Sequence, residues 1–315
     1  MEVAVTGGSG FIGSHVVDHL VDAGYRIRVL DSVRPHRDDV DWTPCDITRL
    51  AEVTGALRGC QAVFHLAAMA NVNEIAAAPA ESVDINIMGT ATILEAARVL
   101  GGLHFVLAST VWVYESAEGQ EVDESTPLNP EGVSHLYMAE KIASEMLAHS
   151  YGKLYGLPVT VLRYGIPYGP RMREQLVLPI FLKKALNHEP LTVAGDGLQY
   201  RNFVYVGDLA DAHVRVLVRQ ATGTFNLEGP REVAIIELAE RVCAAIPDNA
   251  GIVRTEARGG DYQGRVVSRD RAREILGWEP VTSFEAGFDR TVEWFLQEWA
   301  DQRRPVPAGV AAAGA

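Results

Sequence analysis

Two hydrophobic periods alternate along the first half of the chain. Val3-Ala4-Val5 and residues 26–30, 61–66, 102–108 and 158–163 are short apolar runs of the length expected for buried strands. Between them, residues 11–23, 82–100 and 135–155 carry apolar side chains at three- and four-residue spacing, which predicts helices, the first stopping at Gly24. Such alternation predicts an α/β fold, a Rossmann-type doubly wound parallel sheet covered on both faces. After about residue 163 the rhythm loosens. Pro167, Gly169, Pro170, Pro179 and Pro190 punctuate shorter elements, and helical spacing returns over 208–219, 234–246 and 283–299. The expected organisation is a large domain over 1–165 with return segments near 200–227, and residues 166–302 mainly in a smaller interleaved substrate-binding lobe. A flexible Pro-, Gly- and Ala-rich tail is expected over 303–315.

Composition removes several classes of function. The chain has 315 residues, with 28 Lys and Arg against 41 Asp and Glu, a net charge of −13. That balance argues against broad binding to nucleic acid or anionic membranes. Hydrophobic residues at 48% and charged residues at 22% exclude general disorder. Cys45, Cys60 and Cys243 form no CxxC, so neither a disulfide framework nor a cysteine metal site is expected, and a reducing cytoplasm is the natural setting. No apolar run approaches the roughly 18 residues of a membrane span, and Met1-Glu2 runs straight into a strand where a signal peptide would lie.

The first candidate chemistry is Thr6-Gly7-Gly8-Ser9-Gly10-Phe11-Ile12-Gly13, between the first strand and the first helix. Gly7, Gly10 and Gly13 permit a tight turn, close approach to a pyrophosphate, and tight packing of helix on sheet. The helix N-terminus presents unpaired N–H groups to the phosphates. Asp31, at the end of the second strand, is placed to bind the adenine-ribose hydroxyls and repel a 2′-phosphate, which favours NAD; Arg34 and Arg37 leave NADP open. Asp46 is placed either to bind the adenine amine or to cap the following helix.

The second is Tyr137 and Lys141, four apart on one helix face. An ammonium beside a phenol favours the phenolate, which can take a proton from a sugar hydroxyl. Lys141 is one of only four lysines among the 28 basic residues. Ser109 and Thr110 follow an apolar strand, at the sheet edge where ligands gather; Thr110 is placed to bond the reacting oxygen.

In this order the motifs resemble the extended short-chain dehydrogenase/reductase superfamily, in its nucleotide-sugar epimerase/dehydratase branch, and within it UDP-glucose and UDP-glucuronate 4-epimerases. The resemblance spans about residues 2–300. It rests on the glycine turn, Asp31, Asp46-Ile47, His65-Leu66-Ala67-Ala68, Asn86-x-x-Gly89-Thr90, Ser109-Thr110, Tyr137-x-x-x-Lys141, Tyr168-Gly169-Pro170-Arg171, Arg201-Asn202-Phe203 and Arg258-x-x-Asp261. It implies Tyr137 as base, Lys141 as its partner and Thr110 as the hydroxyl on the sugar. It also implies resident NAD against Phe11, Ile12, Ile47, Leu66, Ala67, Ala68 and Asn86. Ser109, Arg171, Arg201 and Arg258 would meet the nucleotide sugar, with Val193 near the nucleobase. The helices near 82–100 and 135–155 match the family's dimer-forming pair, so a homodimer is implied.

Departures from the family pattern separate the branches. Dehydratases and glucuronate decarboxylases of this kind carry Glu two residues after the catalytic Ser/Thr, where this chain has Trp112; Val111 stands in place of the dehydratase Asp. Indole cannot act as the acid for water elimination. Ile166 stands in place of a substrate-binding Asn, and Asn202 in place of Asp. Arg171-Met172-Arg173 resembles a segment of glucuronate-processing relatives, where an arginine meets a sugar carboxylate or a phosphate; the pair is otherwise a solvated loop. The expectation is an NAD-dependent 4-epimerase. The rivals are a UDP-glucuronate decarboxylase, a 4-ketoreductase, and a dinucleotide sensor without catalysis.

Overall fold

The computed structural model describes residues 1–119, 121–256 and 265–302. Its strands are β1 (Glu2–Thr6), β2 (Arg26–Leu30), β3 (Asp41–Thr43), β4 (Ala62–His65), β5 (His104–Thr110), β6 (Glu121–Val122) and β7 (Val159–Tyr164), followed by β8 (Ile166–Tyr168), β9 (Leu191–Ala194), β10 (Tyr200–Tyr205), β11 (Gly223–Leu227), β12 (Glu232–Ala234), β13 (Ile252–Thr255) and β14 (Val266–Val267). Seven form one all-parallel sheet in the order β11-β7-β5-β4-β1-β2-β3. The chain leaves β1 toward β2 and β3, then crosses to β4 on the other side. That reversal opens a crevice at the carboxyl ends of β1 and β4.

Strand alternation divides the core between the faces. Val3 and Val5 pack with Val16, Val17 and Leu20 of helix Phe11–Asp22 and with Leu209 and Val216 of helix Val206–Arg219. Ala4, Val63, Phe105 and Leu107 face Val53, Ile93, Leu94 and Ala148 on the opposite side. β3, absent from the sequence pattern, is a three-residue Asp-Trp-Thr edge strand, too short and polar to give a period.

The smaller lobe has its own core of Tyr168, Leu178, Leu191, Phe203, Leu238 and Phe284. β8, β10 and β12 form its three-stranded sheet. The return to the large sheet therefore runs from Val206 to Leu227, later than the expected 200. Ala272, Leu276 and Trp278 also pack in the large-sheet core. The helix expected over 82–100 is three pieces, with a wide turn over Asp84–Met88 between Pro79–Val83 and Gly89–Val99. The helix near 135–155 is Leu136–Tyr155, capped by the His135 ring, which accepts the Met138 N–H at 3.2 Å, and stopped by Gly156 in the left-handed conformation. No described helix is long and apolar enough to cross a membrane.

Candidate active site

At the crevice, the chain leaves β1 through Gly7, whose φ is +69°. A Cβ there would lie 2.6 Å from the Ala67 nitrogen, and one on Gly13 would lie 2.0 Å from the Gly7 carbonyl oxygen. No side chain caps helix Phe11–Asp22, so its first N–H groups remain for a ligand. A cleft of about 810 Å³ is lined by Gly7, Gly10, Asp31, Asp46, Ile47, Leu66, Ala67 and Ala68. A further cavity of about 180 Å³ adds Phe11, Ile12, Gly13, Ser109, Tyr137 and Lys141. Gly7, Gly10, Leu66 and Ala68 line both. The glycine cradle, the uncapped helix end and the elongated space fit a dinucleotide.

Asp31 accepts the Ser9 N–H at 3.0 Å on one oxygen and the Val33 N–H at 3.1 Å on the other, which fixes the carboxylate and leaves lone pairs for ribose hydroxyls. The arginines that left NADP open are engaged elsewhere. Arg37 pairs with Asp39 at 2.6 Å and Asp18 at 3.2 Å, and Arg34 lies over the Trp42 indole at 5.7 Å. Asp46 accepts from the Thr48 N–H and hydroxyl at 3.0 and 2.7 Å. It does not cap the next helix, whose N-cap is Arg49.

Asn86 is placed differently from the expectation. Its amide spans the Met69 backbone, accepting at 2.8 Å and donating at 2.9 Å, and donates to Glu140 at 2.6 Å. It lines neither cavity and instead holds the 67–70 loop that does. The wide turn over Asp84–Met88 carries it inward. His65 is similarly committed, linking Thr6 at 2.8 Å and Thr90 at 3.1 Å, and burial drives its pKa down to about 3.

The Tyr137 ring and the Lys141 ammonium share the inner cavity, with Nζ 5.6 Å from the ring centroid and donating to the Ala108 carbonyl at 2.9 Å. Burial pushes Tyr137 up to about 12, against a lowering influence from Arg173; burial brings Lys141 down to about 8, against Glu145 and Glu140. Both shifts oppose the charged forms, so the ligand-free pocket is set for a neutral phenol. Thr110 Oγ1 accepts the Trp112 N–H at 3.2 Å, which leaves its hydroxyl proton to donate. Trp112 meets the Tyr137 ring edge-on, centroids 6.3 Å apart, and His135 stacks on that ring at 6.2 Å.

Ser109 lines the inner cavity and donates its hydroxyl to Glu145. Glu145 also holds Arg163 at 2.6 Å, and Arg163 reaches the Tyr114 hydroxyl, which donates to Asn226 at 3.0 Å. The sequence reading missed this buried network. Glu140 and Glu145 flank Lys141 on the inward helix face, and carboxylates there were the available signal.

In the lobe, three expectations change. Arg171 does not line the inner cavity: it has φ of +64° and pairs with Asp18 at 2.6 Å, tying the loop to the first helix, whereas Arg173 lines the space beside Tyr137. The Val193 side chain is sealed in the lobe core, 1% exposed, because β9 turns it toward Leu191 and Phe181. Arg258 lies outside the described residues, as does Asp261. Arg201 lies in a small cavity of about 20 Å³, and so do Trp112, Ile166 and Asn202. Val111 lines it as well, so the four departures meet in one place.

The fold and the glycine-lined cleft define a dinucleotide-binding α/β protein with a tyrosine and a lysine in the adjoining cavity. More closely, the model of the NAD dependent epimerase/dehydratase family matches residues 3–227, and the chain belongs to that family. It is 33% identical to a dTDP-glucose 4,6-dehydratase of Neisseria meningitidis, over 94% of this chain and 93% of the relative. It is also 33% identical to UDP-glucuronic acid decarboxylase 2 of Arabidopsis thaliana, over 96% and 70%. The structure of UDP-glucose 4-epimerase from Thermus thermophilus in complex with NAD is similar with a TM-score of 0.82 at 32% identity, covering 94% of this chain and 99% of the other.

Proposed function

We propose that this protein is an NAD-dependent nucleotide-diphosphate-sugar epimerase, acting at C4 of a UDP-hexose or UDP-hexuronate through a 4-keto sugar. The observation that carries the reading is the shared cavity: Tyr137 and Lys141 line the same space as the glycine turn. The resemblance adds that Trp112 stands where eliminating relatives carry an acid. NAD, held by Gly7, Gly10, Gly13, Asp31 and Lys141, supplies when bound a hydride acceptor and donor. Its positive nicotinamide also favours the Tyr137 phenolate in the loaded enzyme. Tyr137 removes the 4-hydroxyl proton, Lys141 stabilises the phenolate, and Thr110 donates to the sugar oxygen. The same residues return the proton after the keto sugar presents its other face. Arg201 binds the diphosphate.

Met88, Val99, Met146, Leu154 and Tyr155 are exposed apolar side chains on or beside the adjoining helices Gly89–Val99 and Leu136–Tyr155, which supports a homodimer through that pair. Arg173 beside Tyr137 favours a second reading, decarboxylation of UDP-glucuronate, because its guanidinium can hold a uronate carboxylate. Incubating purified protein with UDP-glucose and UDP-glucuronate separates the readings. The proposal expects inversion at C4 without added reductant. Carbon dioxide release would establish the second reading, and a requirement for stoichiometric NAD(P)H would make the protein a ketoreductase.

A further inference from the structure

The small cavity behind Trp112 holds two buried polar atoms that find no hydrogen-bond partner among the described residues, Oε2 of Glu228 and Nε of Arg265. Both residues line the cavity, with Arg201, Asn202 and Ile166. Glu228 follows β11 and is 2% exposed. Its space depends on Gly165, where a Cβ would stand 2.5 Å from Oε2. Orphaned buried polar groups cost about as much as a lost hydrogen bond each, so both atoms call for a partner, and the cavity of about 20 Å³ that Glu228 and Arg265 line has room for one oxygen atom. The cavity adjoins the active site through Trp112, whose ring also touches Tyr137.

We propose that Glu228 is a specificity-determining residue of the substrate pocket, donating with Arg265 Nε to one acceptor oxygen of the bound nucleotide sugar. This inference rests on the nucleotide-sugar reading above. Arg265 Nε can only donate, so the shared partner is an acceptor, and the carboxyl must carry its proton to contribute. Burial supports that state: it pushes Glu228 up to about 8, against the Gly229 N–H and the Arg269 charge. The other charged or titratable groups around it are Arg201, Arg265 and Tyr200, with Glu232 bonded to Tyr200. The folded protein is thus expected to hold Glu228 neutral at pH 7 and to ionise it above about 8, turning a donor into a negative charge facing the substrate oxygen.

The test is calorimetric titration of NAD-loaded protein carrying Tyr137→Phe, which prevents turnover, with UDP-glucose, UDP-glucuronate and dTDP-glucose at pH 7 and 9. The tightest ligand should weaken roughly tenfold at pH 9, as expected for losing one hydrogen bond to a charged group. Adding Glu228→Gln, which donates but does not titrate, should keep the pH 7 affinity and remove most of that fall. Adding Glu228→Leu should weaken binding about tenfold at pH 7 with NAD affinity and thermal midpoint retained. Unchanged affinity in Glu228→Leu, or a full alkaline fall in Glu228→Gln, would overturn this role and leave the epimerase reading standing. If NAD-loaded protein took up none of the three sugars, the functional reading would fall and this role with it.

Discussion

Replacing Glu145 by glutamine isolates one charge in the pair that supports the catalytic strand. Arg163 and Glu145 have side chains only 5% and 2% exposed and meet at 2.6 Å, and Arg163 sits opposite Ser109 in the sheet register. Glutamine keeps the shape and a hydrogen bond but leaves the guanidinium buried without a counter-charge. Breaking a buried pair in this way costs about 3–5 kcal/mol. With about 2.1 cal/mol/K of unfolding entropy per residue, each kcal/mol lowers the thermal midpoint of this 315-residue chain by roughly 1.5 °C, so a fall of about 4–8 °C is expected. The double variant Glu145→Met/Arg163→Met removes both charges and should recover most of the loss, giving strong non-additivity in the cycle with Arg163→Met. The assay is thermal unfolding followed by circular dichroism at pH 7. A midpoint for Glu145→Gln within about 1 °C of the parent, or a double variant showing the summed losses, would refute the reasoning.

Gly13→Ala should abolish NAD binding in a titration, because its Cβ would fall 2.0 Å from the Gly7 oxygen, whereas Gly55→Ala, with open space around it, should bind normally and gain roughly 0.5–1 kcal/mol of helix stability. Tyr137→Phe should lower kcat by about 10²–10⁴-fold, and Lys141→Met should shift the pH profile of kcat/KM to higher pH, since the phenolate loses its ammonium; an unshifted profile would remove Lys141 from that task. His65 and His213 have pKa values driven below the usual 6.5 by burial, to about 3 and about 4. Their folded form is neutral, so the unfolded chain binds more protons below pH 6.5. Stability is then full above that pH and declines as pH falls toward 4, by up to about 1.4 kcal/mol per unit for each ring. A thermal midpoint unchanged between pH 7 and 5 would contradict this.

What the sequence disclosed follows its physics. Val3-Ala4-Val5 and the glycines after it encode strand, turn and helix within a dozen residues, so the cofactor cradle was legible, as was the Tyr137–Lys141 pair at its helical spacing. β3 was hidden because three residues at a sheet edge carry no period. The fates of Arg171 and Arg173 were undetermined because a left-handed backbone at Arg171 decides which guanidinium faces Tyr137, and nothing local forecasts it. The hydrogen-bond commitments of Asn86 and Ser109 carry no local signal. Their partners, Met69 with Glu140 and Glu145, come from distant segments that only the packed helix Leu136–Tyr155 brings close. Glu228 was equally silent, since its significance lies in burial beside Trp112 and Arg265.

On the proposed reading, the separation of epimerisation from elimination turns on Trp112, which stands where the resemblance places the acid of eliminating relatives. The most direct measurement is the fate of deuterium placed at C4 of UDP-glucose after incubation with the purified, NAD-loaded protein, followed by NMR. The account predicts an equilibrium mixture of the two C4 epimers with deuterium still on C4 in both. Loss of water with deuterium transferred to C6 would contradict it.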